Sequence, residues 1–426
     1  MTSGAQPPLE AELEALFRRE SRRLISVLTR IFGPRNLQLA EDVLQESFVA
    51  ALRAWSSGGI PDNPAAWLLT TARNRAIDAI RRERTRRAFA DDLAVYLDGE
   101  WTLTTTVLEA FQETRIKDDQ LRMLFMCCHP ELPPEMSLTL ILKTLCGLSV
   151  PATARALLAT EATISKRLVR ARQRLAGVEF ALPTAEELPA ARDTVHAALY
   201  LLFNEGHLST SERPILEELC SEAMALTQLL VEEPSLATSD TRALLALMCF
   251  NASRLRARVD TAGRLVPLDR QDRALWDRTL TRRGYSELVQ ASQMEAVYAS
   301  RYHLEAAIAA RHCEAESFEA TDWVSVCSLY DRLVEVAPSP LAELNRAVAV
   351  SYRDGAAAAI PLVEAIRASG RLPRSHEVAA VLANLHARAG SLESARRFLE
   401  EALVSARTEH ERLLIAAQFD GIRESD

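Results

Sequence analysis

Two short segments of the chain concentrate basic side chains. Residues 67–87 carry seven arginines against two acidic residues, and residues 166–174 carry five basic side chains and no acidic one. Such side chains neutralise phosphates, and arginine also reads guanine through two parallel hydrogen bonds. Because the whole chain has a formal net charge of −8, this concentration favours specific nucleic-acid contact by two separate elements over nonspecific attraction.

A third polar group precedes the first basic segment. Asp42, Gln45 and Glu46 recur at helical spacing, so one side of a helix would offer carboxylates and an amide to a basic partner helix. Taken alone, such a group is more often an ordinary solvated face than a docking site. The apolar residues of the same segment would face inward: Val43, Leu44 and Phe48.

Residue patterns for catalysis are absent from the sequence. It contains no glycine-rich phosphate loop, no H-E-x-x-H pair and no nucleophile elbow. Cys127, Cys128 and His129 are adjacent, but no second Cys or His pair lies at a zinc-ligand distance. We interpret the two cysteines as small apolar residues packed at a helix end. We therefore expect no catalytic residues, no metal and no cofactor.

The composition predicts an all-α, multi-domain protein. Ala, Leu, Arg and Glu dominate, glycine is sparse and strand-type alternation is rare. With 426 residues, of which 48% are apolar, the chain is long enough for several cores. It has no long apolar run and no basic-then-apolar start, so we expect a cytoplasmic protein without a membrane partner.

Breaks in the helical pattern predict four parts. The first runs over residues 10–88 and contains an apolar stripe ending near Trp55, before the turn Ser56–Gly59. A linker with short helical pieces is expected over 89–118. A small helical bundle would follow over 119–182, and a large helical extension would fill 183–426.

The bundle ends in a pattern typical of a helix-turn-helix. Pro151 would begin a short helix, and Thr160 would cap a second helix over Glu161–Leu175. In this motif the second helix enters the major groove, with bases near its first turns and phosphates along its flanks. We call it the reading helix. Its expected DNA contacts are Thr160, Thr163, Ser165, Lys166, Arg167, Arg170 and Arg172.

The residues Ala40–Phe48 resemble the A-E-D-x-x-Q-E-x-F signature of extracytoplasmic-function (ECF) sigma factors. The resemblance continues through Asn63-Pro64 and Ala72–Asp78. The segment Ser165–Leu175 is similar to the C-terminal end of the domain with which the family reads the promoter −35 element. It implies that residues 10–88 form sigma region 2, which docks on core RNA polymerase and opens the −10 element, and that 119–182 form region 4. The implied polymerase contacts are Asp42, Gln45, Glu46 and Phe48, and the implied −10 contacts are Arg73, Asn74, Arg75, Arg81, Arg82 and Arg84.

The extension carries a weak internal repeat, clearest over 325–405. Pro338 and Pro373 are 35 residues apart, and so are Gly355 and Gly390. Helix–turn–helix units of this period resemble tetratricopeptide repeats, and the whole chain resembles the sigma-factor group with such an extension. This resemblance implies promoter DNA and core polymerase as partners. Stacked helix pairs also make a concave surface suited to a protein or peptide ligand. Because such a domain is attached and no membrane segment is expected, we hypothesise that the extension regulates the factor.

Two other interpretations stay open from the residues. In one, the chain is a helical-repeat interaction scaffold with a DNA-binding N-terminal half. In the other, the C-terminal half is an enzyme, for which the charged run over 265–285 would supply carboxylates. We interpret that run instead as a salt-bridged helix that packs through Leu275, Trp276 and Leu280.

Overall fold

The structure of the chain, a computed structural model, describes residues 9–86, 111–157, 159–207, 215–294, 299–372, 376–406 and 409–418. Within these ranges the secondary structure is helical, apart from one isolated antiparallel bridge between Val259 and Leu265. The predicted all-α fold is confirmed. No helix in this part of the chain is long and apolar enough to cross a bilayer.

The chain divides into two compact units, 1–202 and 203–426. The division falls between Leu202 and Phe203, inside a continuous helix, whereas the prolines near residue 183 predicted an earlier boundary. The helices that begin in the first unit are α1 (Leu9–Phe32), α2 (Leu37–Gly58), α3 (Pro64–Arg86), α4 (Glu113–Cys127), α5 (Pro134–Leu140), α6 (Val150–Ala156), α7 (Glu161–Leu175) and α8 (Leu188–His207).

The first three helices pack on one another around an apolar core. Leu24, Ile25 and Leu28 of α1 are fully buried, and α1 contacts both α2 and α3. Asn63 caps α3, since its side-chain oxygen accepts a hydrogen bond from the Ala66 backbone N–H at 3.0 Å. This cap and Pro64 fix where the arginine-rich helix begins.

Helix α1 also packs against α4 and against the π-helical turn Ile141–Leu145 that follows α5. Buried Met123 and Leu124 of α4 lie in this second core. Helix α4 begins at Glu113, inside the segment expected as a linker, because its apolar positions continue the pattern of the following bundle. Residues 87–110 of that predicted linker lie outside the described ranges.

The second unit is built of paired antiparallel helices. Its remaining helices are α9 (Glu217–Glu232), α10 (Ser239–Ala252), α11 (Arg278–Gln293), α12 (Arg301–Glu314), α13 (Trp323–Val336), α14 (Pro340–Arg353), α15 (Ala356–Ala368), α16 (His376–Arg388), α17 (Leu392–Ser405) and α18 (Glu409–Gln418).

Two glycines at the predicted repeat spacing form the turns of two helical hairpins. Gly355 joins α14 to α15 and Gly390 joins α16 to α17, with φ of 96° and 80°. A side chain would be strained at either value, so glycine allows the abrupt reversal. The paired helices enclose one apolar core that includes Val363, Leu382 and Phe398. The structure thus contains helical hairpins where the repeat was predicted.

The charged run over 265–285 is not the single salt-bridged helix that was expected. Asp272 instead caps the short helical turn Arg273–Leu275 and Asp277 caps α11, because their carboxylates accept hydrogen bonds from the backbone N–H groups of Ala274 and Thr279. Trp276 is buried as expected, whereas Leu275 is half exposed. The carboxylates therefore start helices and need no catalytic explanation.

Helix α11 can lie close against α10 because Gly284 has no Cβ. A Cβ at Gly284 would lie 2.8 Å from Cε1 of Phe250, a ring that is fully buried and packs on Tyr285. Gly284→Ala should therefore lower the free energy of unfolding by about 1–3 kcal/mol in urea denaturation of the full chain. The matched control is Gly177→Ala, where a Cβ meets nothing within 4 Å. Equal stability of the two variants would contradict this account of the α10–α11 contact.

Candidate polymerase and promoter interfaces

The outer face of α2 presents the acceptors predicted for docking. Asp42, Gln45 and Glu46 are all exposed. Phe48 is only partly buried and contacts Phe17 with ring centroids 4.9 Å apart. The apolar stripe of α2 faces the core on the other side, so burial of that stripe is what turns the three polar side chains outward. Their role in polymerase binding stays a prediction.

The predicted −10 residues of α3 form a mixed surface. Asn74, Arg81 and Arg82 are exposed, while Arg73 and Arg75 are partly buried. The side chain of the sixth predicted residue, Arg84, lies outside the described part of the structure.

Two of these arginines are already held by carboxylates. Arg75 bonds Glu46 of α2 at 2.8 Å, and Arg81 lies 3.6 Å from Asp78. Asp78 thus pairs with a neighbouring arginine, as expected of an acidic residue in a basic helix. The Arg75–Glu46 pair was not expected, and it links the predicted DNA face to the predicted polymerase face.

The reading helix α7 begins where the sequence predicted. The Thr160 hydroxyl accepts a hydrogen bond from the Thr163 backbone N–H at 3.2 Å, which confirms Thr160 as the N-cap. The buried positions of α7 follow a 3–4 spacing and fix its rotation about its own axis. They are Ile164, Leu168, Ala171 and Leu175.

The same rotation leaves Ser165, Lys166 and Arg170 exposed on the opposite face. Neither Lys166 nor Arg170 has a charged or hydrogen-bonding partner among the described residues. Thr160 is exposed and Thr163 is partly buried, with their hydroxyls 2.9 Å apart. These residues are the part of the predicted −35 set that the fold leaves available for DNA.

The other basic residues of α7 are engaged within the unit. Arg167 lies 3.7 Å from Glu135, Arg172 lies 2.6 Å from Glu41, and Arg174 donates to the backbone carbonyl of Glu131. The predicted phosphate contacts Arg167 and Arg172 therefore have intramolecular partners in this structure. Sequence reasoning missed this because Glu41 is 131 residues from Arg172.

Comparison with known protein families assigns both halves of the first unit. Residues 16–86 match the family model of sigma-70 region 2, and residues 122–175 match that of sigma-70 region 4. Residues 191–292 match a family of unknown function, DUF6596. No solved structure matches the chain.

Several known proteins are similar over long stretches. An uncharacterised protein of Rhizobium meliloti is 38% identical over 348 residues, which are 80% of this chain and 79% of the relative. The probable ECF RNA polymerase sigma factor SigI of Mycobacterium tuberculosis is 26% identical, over 46% of this chain and 65% of SigI. RNA polymerase sigma factor CarQ of Myxococcus xanthus is 34% identical, over 24% of this chain and 60% of CarQ.

The chain belongs to the ECF sigma factor family. The resemblance drawn from Ala40–Phe48 and Ser165–Leu175 is thereby confirmed. From here on we call the part matched over 16–86 region 2 and the part matched over 122–175 region 4.

Region 2 and region 4 of this ECF sigma factor contact each other through a buried ion pair. The Glu41 side chain is only 7% exposed, and Arg172 covers it from region 4. Burial raises the pKa of the Glu41 carboxyl, and the Arg172 guanidinium opposes that shift. Since an unpaired carboxylate at this depth would be costly, Glu41 depends on cations of region 4 to stay ionised, first on Arg172 and then on Lys143.

Further contacts extend the region 2–region 4 interface along α1. Arg30 lies 3.5 Å from Asp119 of α4, whose pKa burial raises to about 6. Arg35 donates from Nε to the carbonyl of Ala176 at 2.7 Å. A Cβ at Gly147 would come within 3.1 Å of Oγ of Ser21, so the two regions are in close contact there.

The cysteine pair of region 4 is part of its core. Cys127 and Cys128 are buried at the end of α4, and the Cys127 thiol lies 3.6 Å from the Thr144 hydroxyl. Burial raises the pKa of Cys127 to about 12, so the group remains a neutral thiol. Both side chains therefore act as small packing residues. No group of three or more potential metal ligands occurs among the described residues.

Removing one partner of the Glu41–Arg172 pair should loosen the region 2–region 4 interface. Arg172→Leu leaves Glu41 buried and unpaired, a loss of about 3 kcal/mol in interface stability. Amide hydrogen exchange in α7 of the full chain should then be faster by roughly a hundredfold.

The double variant Glu41→Leu, Arg172→Leu provides the control, because replacing both charges by apolar side chains removes the unpaired carboxylate. This double variant should recover most of the protection of α7 against amide hydrogen exchange that Arg172→Leu loses. If the double variant exchanged as fast as Arg172→Leu, the ion pair would not be the interaction that holds α7 on region 2.

Proposed function

We propose that this ECF sigma factor binds core RNA polymerase and directs it to promoters with −10 and −35 elements. The observation that carries the proposal is the presence of region 2 and region 4, in that order, with an exposed acceptor face on α2 and an exposed basic face on α7. Such a factor needs no catalytic residue of its own, since the polymerase performs the chemistry. It acts in the cytoplasm, where the polymerase and its promoters are.

Polymerase binding is assigned to α2. Its polar face offers two carboxylates and an amide, with the partly exposed Phe48 ring beside them. A basic helix of the polymerase would meet complementary charge there, and the aromatic ring would supply apolar area. The Glu46–Arg75 pair couples this face to α3, so polymerase binding at Glu46 would release Arg75 towards DNA.

Recognition of the −35 element is assigned to the exposed face of α7. Ser165 and Lys166 lie near its first turns, where a helix in the major groove reaches base edges. Arg170 lies one turn further along on the same face and can bind a phosphate or read guanine. At the −10 element, binding is assigned to the arginines of α3, whose positive charge would neutralise the phosphates of the separated strands.

Simultaneous binding to the −10 and −35 elements of a promoter requires region 4 to separate from region 2. Elements at −10 and −35 are about 25 base pairs apart, which is roughly 85 Å along B-DNA. A compact unit of about 200 residues has a radius of gyration near 16 Å and is roughly 40 Å across. One such unit cannot contact both elements at once. Promoter binding must therefore break the Glu41–Arg172 pair and the contacts along α1.

The chain between the two regions is long enough for this opening. Residues 87–110 lie between α3 and the segment that begins α4, and a chain of that length reaches at most about 80 Å when extended. The contacts of the closed unit are the polar ones at Arg172, Arg30 and Arg35 together with the apolar core between α1 and α4. Binding of both regions to polymerase and DNA would have to offset the loss of both kinds of contact.

Regulation is assigned to the C-terminal unit. Its helical hairpins, with turns at Gly355 and Gly390, support a tetratricopeptide-like arrangement of the repeats. Such a domain in the same chain allows control without a membrane-bound antagonist, through a protein or peptide ligand.

Polymerase binding can be tested by reversing the charge of α2. Asp42→Arg, Glu46→Arg should weaken binding of the full chain to core polymerase by roughly a hundredfold, since charged interface partners contribute about 2–5 kcal/mol. The measurement is a pull-down titration with purified core enzyme. Glu393→Arg, Glu400→Arg makes the same charge change on exposed positions of α17 and is the control. Undiminished binding by the α2 variant would contradict the assignment.

The −35 assignment predicts a change in salt dependence. Lys166→Ala, Arg170→Ala in the reconstituted holoenzyme should weaken promoter binding and reduce the slope of log K against log salt by roughly 1 to 2, about one for each of these cations that contacts a phosphate. Arg256→Ala, Arg397→Ala removes two exposed cations of the C-terminal unit and should leave the slope unchanged. A slope unaffected by the α7 changes would move the −35 contact to another surface.

A further inference from the structure

The C-terminal unit contains a pocket of about 500 Å³ among its repeat helices. Helices α13, α14, α16 and α18 form its walls, and the turn Pro267–Arg270 closes one side. This volume lies in the range of sites for small organic ligands and single side chains. The sigma activity proposed above does not use this pocket, so the inference stands independently of it.

One wall of the pocket is a fixed cluster of aromatic rings. Trp323 and Tyr352 stack with centroids 4.5 Å apart, and Phe318 meets both edge-on. Arg388 covers Tyr352, with its guanidinium carbon 4.2 Å from the ring centroid, and donates two hydrogen bonds to Ser351. The rings are therefore held in place before any ligand binds, which reduces the entropic cost of binding.

The floor of the pocket is apolar and only partly covered. Val348, Ala380, Val381 and Leu414 line it, and each keeps part of its surface accessible. Covering such surface contributes about 25 cal/mol per Å². The floor and the aromatic wall together favour a ligand with a large apolar or aromatic group.

Two carboxamide side chains from successive hairpins favour a ligand that also carries hydrogen-bonding groups. Asn345 of α14 and Asn384 of α16 line the pocket, and neither makes a hydrogen bond with another described residue. A carboxamide carries both donors and an acceptor, so it complements the N–H and C=O of another amide. His312 also lines the pocket, and its buried Nδ1 has no hydrogen-bond partner in the described structure.

The charged residues of the pocket disfavour an anionic ligand. Asp269, Glu377 and Glu411 line it, against the single guanidinium of Arg270. Two of these carboxylates face His376, whose ring nitrogens lie 3.5 Å from Glu377 and 3.9 Å from Glu411. Because both already have protein partners, they provide no strong site for a cation either.

We propose that this pocket binds an uncharged amide that carries a large apolar or aromatic group. The apolar group occupies the floor beside Trp323 and Tyr352, and the amide bonds Asn345 and Asn384. This chemistry is that of an N-acylated apolar amino acid, which comes either as a free small molecule or as one residue of a peptide.

Calorimetric titration of the full chain tests the proposal with defined probes. N-acetyl-L-phenylalaninamide and N-acetyl-L-leucinamide should bind saturably, and both should bind more tightly than the charged probes N-acetyl-L-lysinamide and N-acetyl-L-aspartic acid α-amide. The peptide acetyl-Ala-Phe-Ala-amide distinguishes the two sources. Tighter binding than the single capped phenylalanine indicates a peptide ligand, and weaker binding indicates a free small molecule.

Variants locate the binding in this pocket. Asn384→Trp should fill it and abolish binding, and Asn345→Trp does the same from an exposed position if the first variant fails to fold. Asn384→Leu should weaken binding roughly fivefold to tenfold through the lost hydrogen bond. Val404→Trp, at a position 86% exposed on α17, is the control. Absence of saturable binding by both apolar probes, preference for a charged probe, or full affinity in Asn384→Trp would overturn the proposal.

Discussion

The buried ion pair between Glu41 and Arg172 is the constraint on which the arrangement of the first unit depends. One charge comes from the segment Ala40–Phe48 of region 2 and the other from the reading helix of region 4, 131 residues away. The buried Glu41 carboxylate would be costly without its partner, whereas Arg172 keeps part of its surface exposed. The pair therefore makes the contact between the two regions conditional, whereas the buried apolar positions of α7 determine which of its sides is turned inward. Any partner that separates the regions must also hydrate or bind both charges.

In each helix, the spacing of the buried apolar residues determines which charged side chains are exposed and which ones are buried or paired within the unit. In α7 the buried positions leave Lys166 and Arg170 exposed while Arg167 and Arg172 reach acidic residues of the same unit. In α2 the buried stripe leaves Asp42 exposed but places Glu41 inside. Basic residues that look equivalent in the sequence thus have different roles, because side chains one position apart on a helix point about 100° apart.

Local signals in the sequence predicted local structure well. Thr160 as a cap, Pro151 at a helix start and Gly355 and Gly390 at the hairpin turns each depend on neighbouring backbone geometry alone. Long-range pairing could not be predicted, since nothing near Arg172 indicates Glu41 as its partner. The run over 265–285 was misread because a segment whose carboxylates cap the starts of helices can have the same composition as a salt-bridged helix. The pocket also escaped prediction, because packing alone brings its wall residues together from several helices.

The distance between region 2 and region 4 in the transcription complex is the measurement to make first. Dyes on exposed Arg53 of α2 and exposed Gln173 of α7 would report it by energy transfer in the full chain. In the free protein we expect a separation within the roughly 40 Å diameter of the closed unit. Once polymerase and promoter are bound, we expect an increase towards the roughly 85 Å span of the two promoter elements. An unchanged short distance in an active promoter complex would show that region 4 does not leave region 2.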